Sequence, residues 1–200
     1  LVGSEMCIRD SSSSYLSHFT AVGNTLYFQA NDGTNGFELW KSDGTTSGTV
    51  MVKDINSVSI SSGLNYLTAV GNTLYFRADD GINGAELWKS DGTASGTVMV
   101  KNIRSGSSGG NIKYITAIGN TLYFSASDGT SGDELWKSDG TASGTVMVKD
   151  IRVPSGSSLP YELTVVGTTL YFRADDGTNG YELWKSDGTA SGTVMVKDIN

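Results

Sequence analysis

The sequence predicts an all-β chain made of four four-stranded antiparallel units, arranged as a β-propeller or a fragment of one. Three observations predict it. A GNTLYF-like segment opens at Gly23, Gly71, Gly119 and Gly167, 48 residues apart each time. The four tryptophans of the chain, Trp40, Trp88, Trp136 and Trp184, keep the same spacing. Apolar residues alternate with period two within each unit, and no stretch carries the 3.6-residue period of a helix. A 48-residue period lies in the roughly 40–50-residue range of four-stranded propeller blades.

Counting back from Asn200 in steps of 48 places the units at about 9–56, 57–104, 105–152 and 153–200. The block 86–101 recurs unchanged at 134–149 and 182–197, and unit one departs from it only at Thr46. Ser/Gly stretches at 11–14, 105–110 and 155–158 fall at one phase of the period, so they read as loops between blades. Residues 1–10, LVGSEMCIRD, match nothing later in the chain. They resemble the translation of a transposase adapter used in preparing sequencing libraries, with the frame running to about Ser11. The expected division is therefore a non-native tail at 1–11 and one propeller-like repeat domain at 12–200; a native disordered tail is the alternative.

In the last unit the strands read as 161–166, 168–174, 181–186 and 193–199. The first is weakly marked; the second is rich in β-branched and aromatic residues. Val-Gly-Asn-Thr at 70–73 suits a tight hairpin. Residues 80–84 form a longer hairpin loop, and 91–96 another, with Asp91 accepting a backbone N–H in an Asx turn. Leu74, Phe76 and Ala78 share one strand face while Thr73, Tyr75 and Arg77 take the other. Val98 and Val100 oppose Met99 and Lys101 in the same way. Both faces thus carry apolar bulk, as stacked blades require. Each Trp can bury about 150–250 Å², an upper estimate of about 4–6 kcal/mol. Four units suffice for a small closed ring, and a slice of a larger ring fits equally; an open arc would expose two apolar blade faces.

Charge and composition exclude several function classes. Lys plus Arg number 14 and Asp plus Glu 21, a net charge of −7, which does not suit a nucleic-acid partner. No apolar run reaches the length of a membrane span, so no membrane insertion is expected. Cys7, the only cysteine, falls in the tail, and His18 is the only histidine; neither a disulfide nor a multi-histidine metal site follows.

Glu-Leu-Trp-x-x-Asp-Gly-Thr occurs at 38–45, 86–93, 134–141 and 182–189. The pattern resembles the ELWxxDGT repeat family of long bacterial proteins held to be secreted or surface-attached. That resemblance implies a propeller-like fold and a large, modular, exported protein at the cell surface or outside the cell. It brings no catalytic or ligand residues with it.

A search for chemistry finds little. His18 is placed in the first strand, set against Asn65 of unit two, and reads as a surface or strand-end residue. The serines lie in loops, no G-x-S-x-G elbow precedes a helix, and the Gly-rich loops lead to no helix that would hold a phosphate. Glu38, Glu86, Glu134 and Glu182 recur as equivalents, as do Asp43, Asp91, Asp139 and Asp187. Equivalent acids in equivalent surroundings lack the asymmetry that glycosidase chemistry needs. The Glu is expected to pair with strand backbone or a neighbouring Lys, and the Asp to shape its turn. No cofactor is expected. Calcium is the minority case, because the loops 31–36, 79–84, 127–132 and 175–180 offer hard oxygen ligands, fewest at Ser127 and Ser131.

Positions that differ between otherwise near-identical units are the candidate binding surface. Phe37, Ala85, Asp133 and Tyr181 share one such position, and Gln29, Arg77, Ser125 and Arg173 another; Phe37, Arg77, Tyr181 and Arg173 are the candidate contacts. The function expected is a non-enzymatic structural or adhesion-like binding module of a larger exported bacterial protein. Its partners would be a protein or carbohydrate ligand and further repeats or domains of the same polypeptide. The alternative is part of a secreted enzyme, such as a carbohydrate-active one, with catalysis in a missing region.

Overall fold

The computed structural model describes residues 13–57 and 61–199, so the expected tail at 1–11 lies outside them. Sixteen strands form among the described residues. They are β1 (Ser17–Val22), β2 (Thr25–Asn31), β3 (Phe37–Ser42), β4 (Val50–Lys53), β5 (Asn65–Val70), β6 (Thr73–Asp79), β7 (Ala85–Ser90), β8 (Val98–Lys101), β9 (Lys113–Ile118), β10 (Thr121–Ser127), β11 (Asp133–Ser138), β12 (Val146–Lys149), β13 (Tyr161–Val166), β14 (Thr169–Asp175), β15 (Tyr181–Ser186) and β16 (Val194–Lys197). They pair in sequence order into four antiparallel sheets, β1–β4, β5–β8, β9–β12 and β13–β16. The first strands pack side by side in the series β1, β5, β9, β13, with no comparable contact between β13 and β1. The arrangement is propeller-like and open.

Each junction joins two different faces. Tyr27, Leu39, Val52 and Ile55 of the first blade bury against Leu74, Phe76, Ala78 and Trp88 of the second, with Leu64 from the connecting segment between them. The same set recurs from blade two to three and from three to four. Polar groups close the seam. Lys41 Nζ donates to Gly92 O at 2.8 Å and Lys53 Nζ to Thr97 O at 2.8 Å. Lys53 also lies 5.7 Å from the Trp88 ring centroid, a cation–π contact across the junction. The Tyr27 hydroxyl sits where a side chain at Gly92 would be, at a φ of 88°, so that turn position is confined to glycine twice over.

The recurring glutamates act on the connections, which differs from the expected pairing with strand or lysine. After the fourth strand the chain leaves the sheet edge and returns to the innermost strand of the next blade. Glu134 receives it: its carboxylate accepts from Ile151 N at 2.9 Å, Ser158 N at 3.0 Å and Ser158 Oγ at 2.6 Å. Glu86 accepts from Ile103 N and Arg104 N, and Glu38 from Ile55 N. Glu182 accepts from Ile199 N at 3.2 Å, which is why β16 stops at Lys197 and the expected strand to 199 does not form. Burial pushes Glu86 and Glu134 up to about 7, more than the N–H donors lower them.

The Asp-Gly-Thr loop is closed by its own bonds, as the Asx reading expects. Asp91 Oδ1 accepts from Thr93 N and Thr93 Oγ1, Gly96 N donates to Thr93 Oγ1, and Ser90 Oγ meets Thr97 Oγ1 at 2.7 Å. A Cβ on Gly96 would fall on the Asp91 carboxylate. These bonds hold Asp43, Asp91, Asp139 and Asp187 below the ordinary aspartate range.

Three predictions follow from this packing. Gly96→Ala should lower stability by about 1–3 kcal/mol, and the cost should shrink in an Asp91→Ala background; equal costs in both backgrounds, by urea denaturation, would exclude the clash as its cause. Trp136→Ala, at a closed junction, should cost about 3–5 kcal/mol, and Trp40→Ala, on the open side of blade one, clearly less. The third concerns pH. The raised glutamates mean that the folded state holds more protons than the unfolded one, so their stabilisation is complete below about pH 4.5 and lost as pH rises through about 7. The lowered turn aspartates act oppositely, their contribution being lost as pH falls below the usual 3.8. Melting temperature should therefore peak between these limits, and Glu86→Gln with Glu134→Gln should flatten its fall between pH 5 and 8.

Candidate functional site: a pocket between the third and fourth blades

The first strand of every blade carries a bulge. Asn65 pairs with Arg77 and Thr68 with Tyr75, so one extra residue is accommodated between them. The residue after the first pair takes a left-handed conformation in all four units: His18 at φ 57°, Tyr66 at 54°, Tyr114 at 57° and Glu162 at 55°. His18 therefore matches Tyr66, one residue on from the expected Asn65. A positive φ at tyrosine is uncommon and is held here by the surrounding sheet. The bulge turns the side chain along the row of innermost strands. Tyr66 and Tyr114 stack edge to face at 5.6 Å, and Tyr114 and Tyr161 at 4.7 Å.

At one end of this row, between blades three and four, lies a cavity of about 180 Å³ lined by Lys113, Tyr114, Ser125, Asp133, Leu159, Pro160, Tyr161 and Arg173. The Arg173 guanidinium is 4.9 Å from the Tyr161 centroid and 4.5 Å from that of Tyr181, lying against both rings. It makes no ion pair among the described residues. Across the pocket Asn111 Nδ2 donates to both Asp133 oxygens at 2.9 and 2.8 Å, and Lys113 Nζ reaches Asp133 Oδ2 at 3.4 Å. Burial, with the neighbouring Tyr66 and Tyr161, raises the Tyr114 hydroxyl above its ordinary value, so it stays protonated as a donor at neutral pH. One wall is thus aromatic, one side offers a carboxylate fixed by Asn111, and one cation is held without a counter-charge.

Of the four sequence-based candidates, Arg173 and Tyr181 come together here. Phe37 stands in the first blade, 6.4 Å from Tyr15, and Arg77 in the second, paired in register with Asn65. The four do not make one site. Sequence reading missed Lys113, Tyr114 and Tyr161. The signal was present: the position that is Ser17, Asn65, Lys113 and Tyr161 differs in every unit. In the loops considered for calcium, the aspartate at the second position bonds within its own turn. Asp80 Oδ1 accepts from Ile82 N and Asn83 N, and Asp80 Oδ2 from Asn83 Nδ2. Among the described residues no three His, Cys, Asp or Glu side chains gather to hold a metal. Nor is there a nucleophile–histidine–acid cluster among the described residues.

The fold and pocket define a repeat domain of propeller type. No family profile and no curated protein matches the chain. Solved structures do, at the level of fold. Puromycin hydrolase superposes with a TM-score of 0.62 at 14% identity over 92% of this chain and 29% of its own. Protein lmo1340 of Listeria monocytogenes EGD-e gives 0.53 at 14% identity, over 92% of this chain and 56% of its own. Prolyl oligopeptidase B from Galerina marginata gives 0.52 at 14% identity, over 88% and 25%. The chain therefore spans less than a third of the two hydrolases and just over half of the Listeria protein.

Proposed function

We propose that the chain is a non-enzymatic binding module of the ELWxxDGT repeat type, belonging to an exported bacterial protein and acting outside the cell or at its surface. Its ligand, on this reading, is a sugar residue bearing a carboxylate, bound between blades three and four. The observation that carries the reading is Arg173, laid against Tyr161 and Tyr181 at the mouth of the pocket and in no ion pair among the described residues. A guanidinium on an aromatic face is preorganised and binds a carboxylate in a two-pronged fashion. Tyrosine faces accept the apolar face of a sugar ring, while Asp133 and Ser125 suit its hydroxyls. A volume of about 180 Å³ is below that of pockets for drug-sized molecules and matches a single ring.

Calorimetry with oligosaccharides containing a uronic acid, against carboxyl-reduced counterparts, tests this. Binding should require the carboxylate, and Arg173→Ala or Tyr161→Ala should each weaken it at least tenfold, about 1.4 kcal/mol. Equal binding of the neutral sugar, or unchanged affinity in an Arg173→Ala/Tyr181→Ala double variant, would sink the proposal. A second reading, an arc within a longer secreted enzyme whose chemistry lies elsewhere, is favoured by the likeness to two hydrolases more than three times as long. A long sequencing read through the locus decides it by the presence or absence of a hydrolase domain in the same frame.

A further inference from the structure

The cations of this acidic chain are unevenly placed. Arg9 lies outside the described residues, eight lysines occupy the seam positions of the third and fourth strands, and Arg104 and Arg152 belong to the connections between blades. The three that remain, Arg77, Lys113 and Arg173, fall at one level of the fold, the first cross-strand pair of each blade. Asn65 pairs there with Arg77, Lys113 with Ser125, and Tyr161 with Arg173. Blades two, three and four thus carry one cation each, supplied by either strand of the pair. In blade one the pair is neutral, and Ser17 Oγ donates to Gln29 Oε1 at 3.3 Å. Arg77 makes no ion pair among the described residues, and its Nε is buried without a hydrogen-bond partner. Asp79, two residues along the same strand, accepts from Gly81 N at 2.7 Å instead. Blade two is flanked by a described blade on each side, so the open ends of the arc do not explain the unpaired arginine. Tyr66, Tyr114 and Tyr161 run along these levels, their ring centres stepping by 5.6 and 4.7 Å.

We propose that Arg77, Lys113 and Arg173 form a track across blades two to four for a linear polysaccharide with a carboxylate on successive rings, a polyuronate, one residue of which fills the pocket. The inference rests on the pocket reading and extends it from a single ring to a polymer. A buried guanidinium N–H without an acceptor is costly, and a ligand carboxylate would supply the acceptor through two parallel bonds. The tyrosine steps are close to the advance of one ring in an extended sugar chain, so one residue falls to each blade. Lys113, partly exposed and 3.4 Å from Asp133, adds a point charge midway. Glu162, exposed at the bulge of blade four, is the only acid in the four first strands and repels a further carboxylate there. Three cations on a chain of net charge −7 suit a slim carboxylate polymer rather than a nucleic acid.

Calorimetry of the full chain with galacturonic acid and with its linear trimer tests the track. The trimer is the shortest chain that offers one carboxylate to each of the three blades. It should bind at least tenfold more tightly than the monomer, because the added contacts form within one complex. Arg77→Met keeps the apolar stem and removes the charge. That variant should lose the gain with length and leave monomer affinity unchanged, whereas Arg173→Ala should weaken both ligands. A monomer that binds as tightly as the trimer would overturn the track and leave the pocket reading standing. Failure of both to bind would overturn both. A gain that survives Arg77→Met would also overturn the track, as would equal binding of a single-stranded oligothymidylate of the same charge. If Arg77→Met fails to fold, by circular dichroism, Arg77→Lys replaces it. Lysine keeps the charge without the planar fork and should lose most of the gain; an undiminished gain would count against the arginine.

Discussion

A four-stranded meander with apolar residues on both faces cannot be stable alone, because one face or the other must meet water. Packing the Tyr-Leu-Val-Ile face of one blade on the Leu-Phe-Ala-Trp face of the next removes that conflict, and the remainder of the structure is arranged around it. The lysines stitch the seam where the backbone carbonyls of the next blade would otherwise face a partly dry edge. The glutamates hold the connection that brings the chain back to the inner strand. The carboxylates of Glu38, Glu86 and Glu134 sit deep enough that their ionised forms are disfavoured, yet they are retained because the linker N–H groups have no strand to pair with. An unpaired buried donor costs about 1–3 kcal/mol, comparable with the cost of keeping the acid there.

Much of this architecture was readable in the residues. The third strand of the last unit spans Tyr181–Ser186 as alternation predicts, and the second differs by one residue at each end. Alternation works there because both neighbours in the sheet are regular. The first strand forms at Tyr161–Val166 as expected, but its bulge shifts the side-chain period, which is where His18 is displaced by one from its expected counterpart. The fourth strand ends early for a reason no local pattern carries: the N–H of Ile199 is claimed by a glutamate 17 residues earlier. The role of Glu86 was missed on similar grounds. A carboxylate in a strand suggests a strand partner, and only the path of the linker shows that the partner arrives from the next connection.

The pocket was half legible. Comparing units picked out the Arg173 and Tyr181 positions, since variation in an otherwise constant scaffold marks surfaces freed from packing. It could not show that Lys113 and Asp133 lie beside them, because these belong to the neighbouring blade and meet blade four only through the stacking, nor that the bulge sets Tyr161 of the same blade against Arg173. It also could not separate Arg173, backed by two rings, from Arg77, which has the same place in its blade and different neighbours. Chemistry at this site is a property of a pair of units, although its residues are spread over both.

The sameness of the three junctions has a consequence for how such a chain changes length. A blade whose seam residues are Tyr, Leu, Val and Ile on one side and Leu, Phe, Ala and Trp on the other fits equally before or after any of its siblings. Duplicating or deleting a whole 48-residue stretch therefore creates no unfamiliar contact, whichever register the exchange uses. Stability per unit is preserved while the number of variable pockets rises or falls by one. The constraint that limits such growth is curvature rather than packing, since only certain blade counts bring the two ends together.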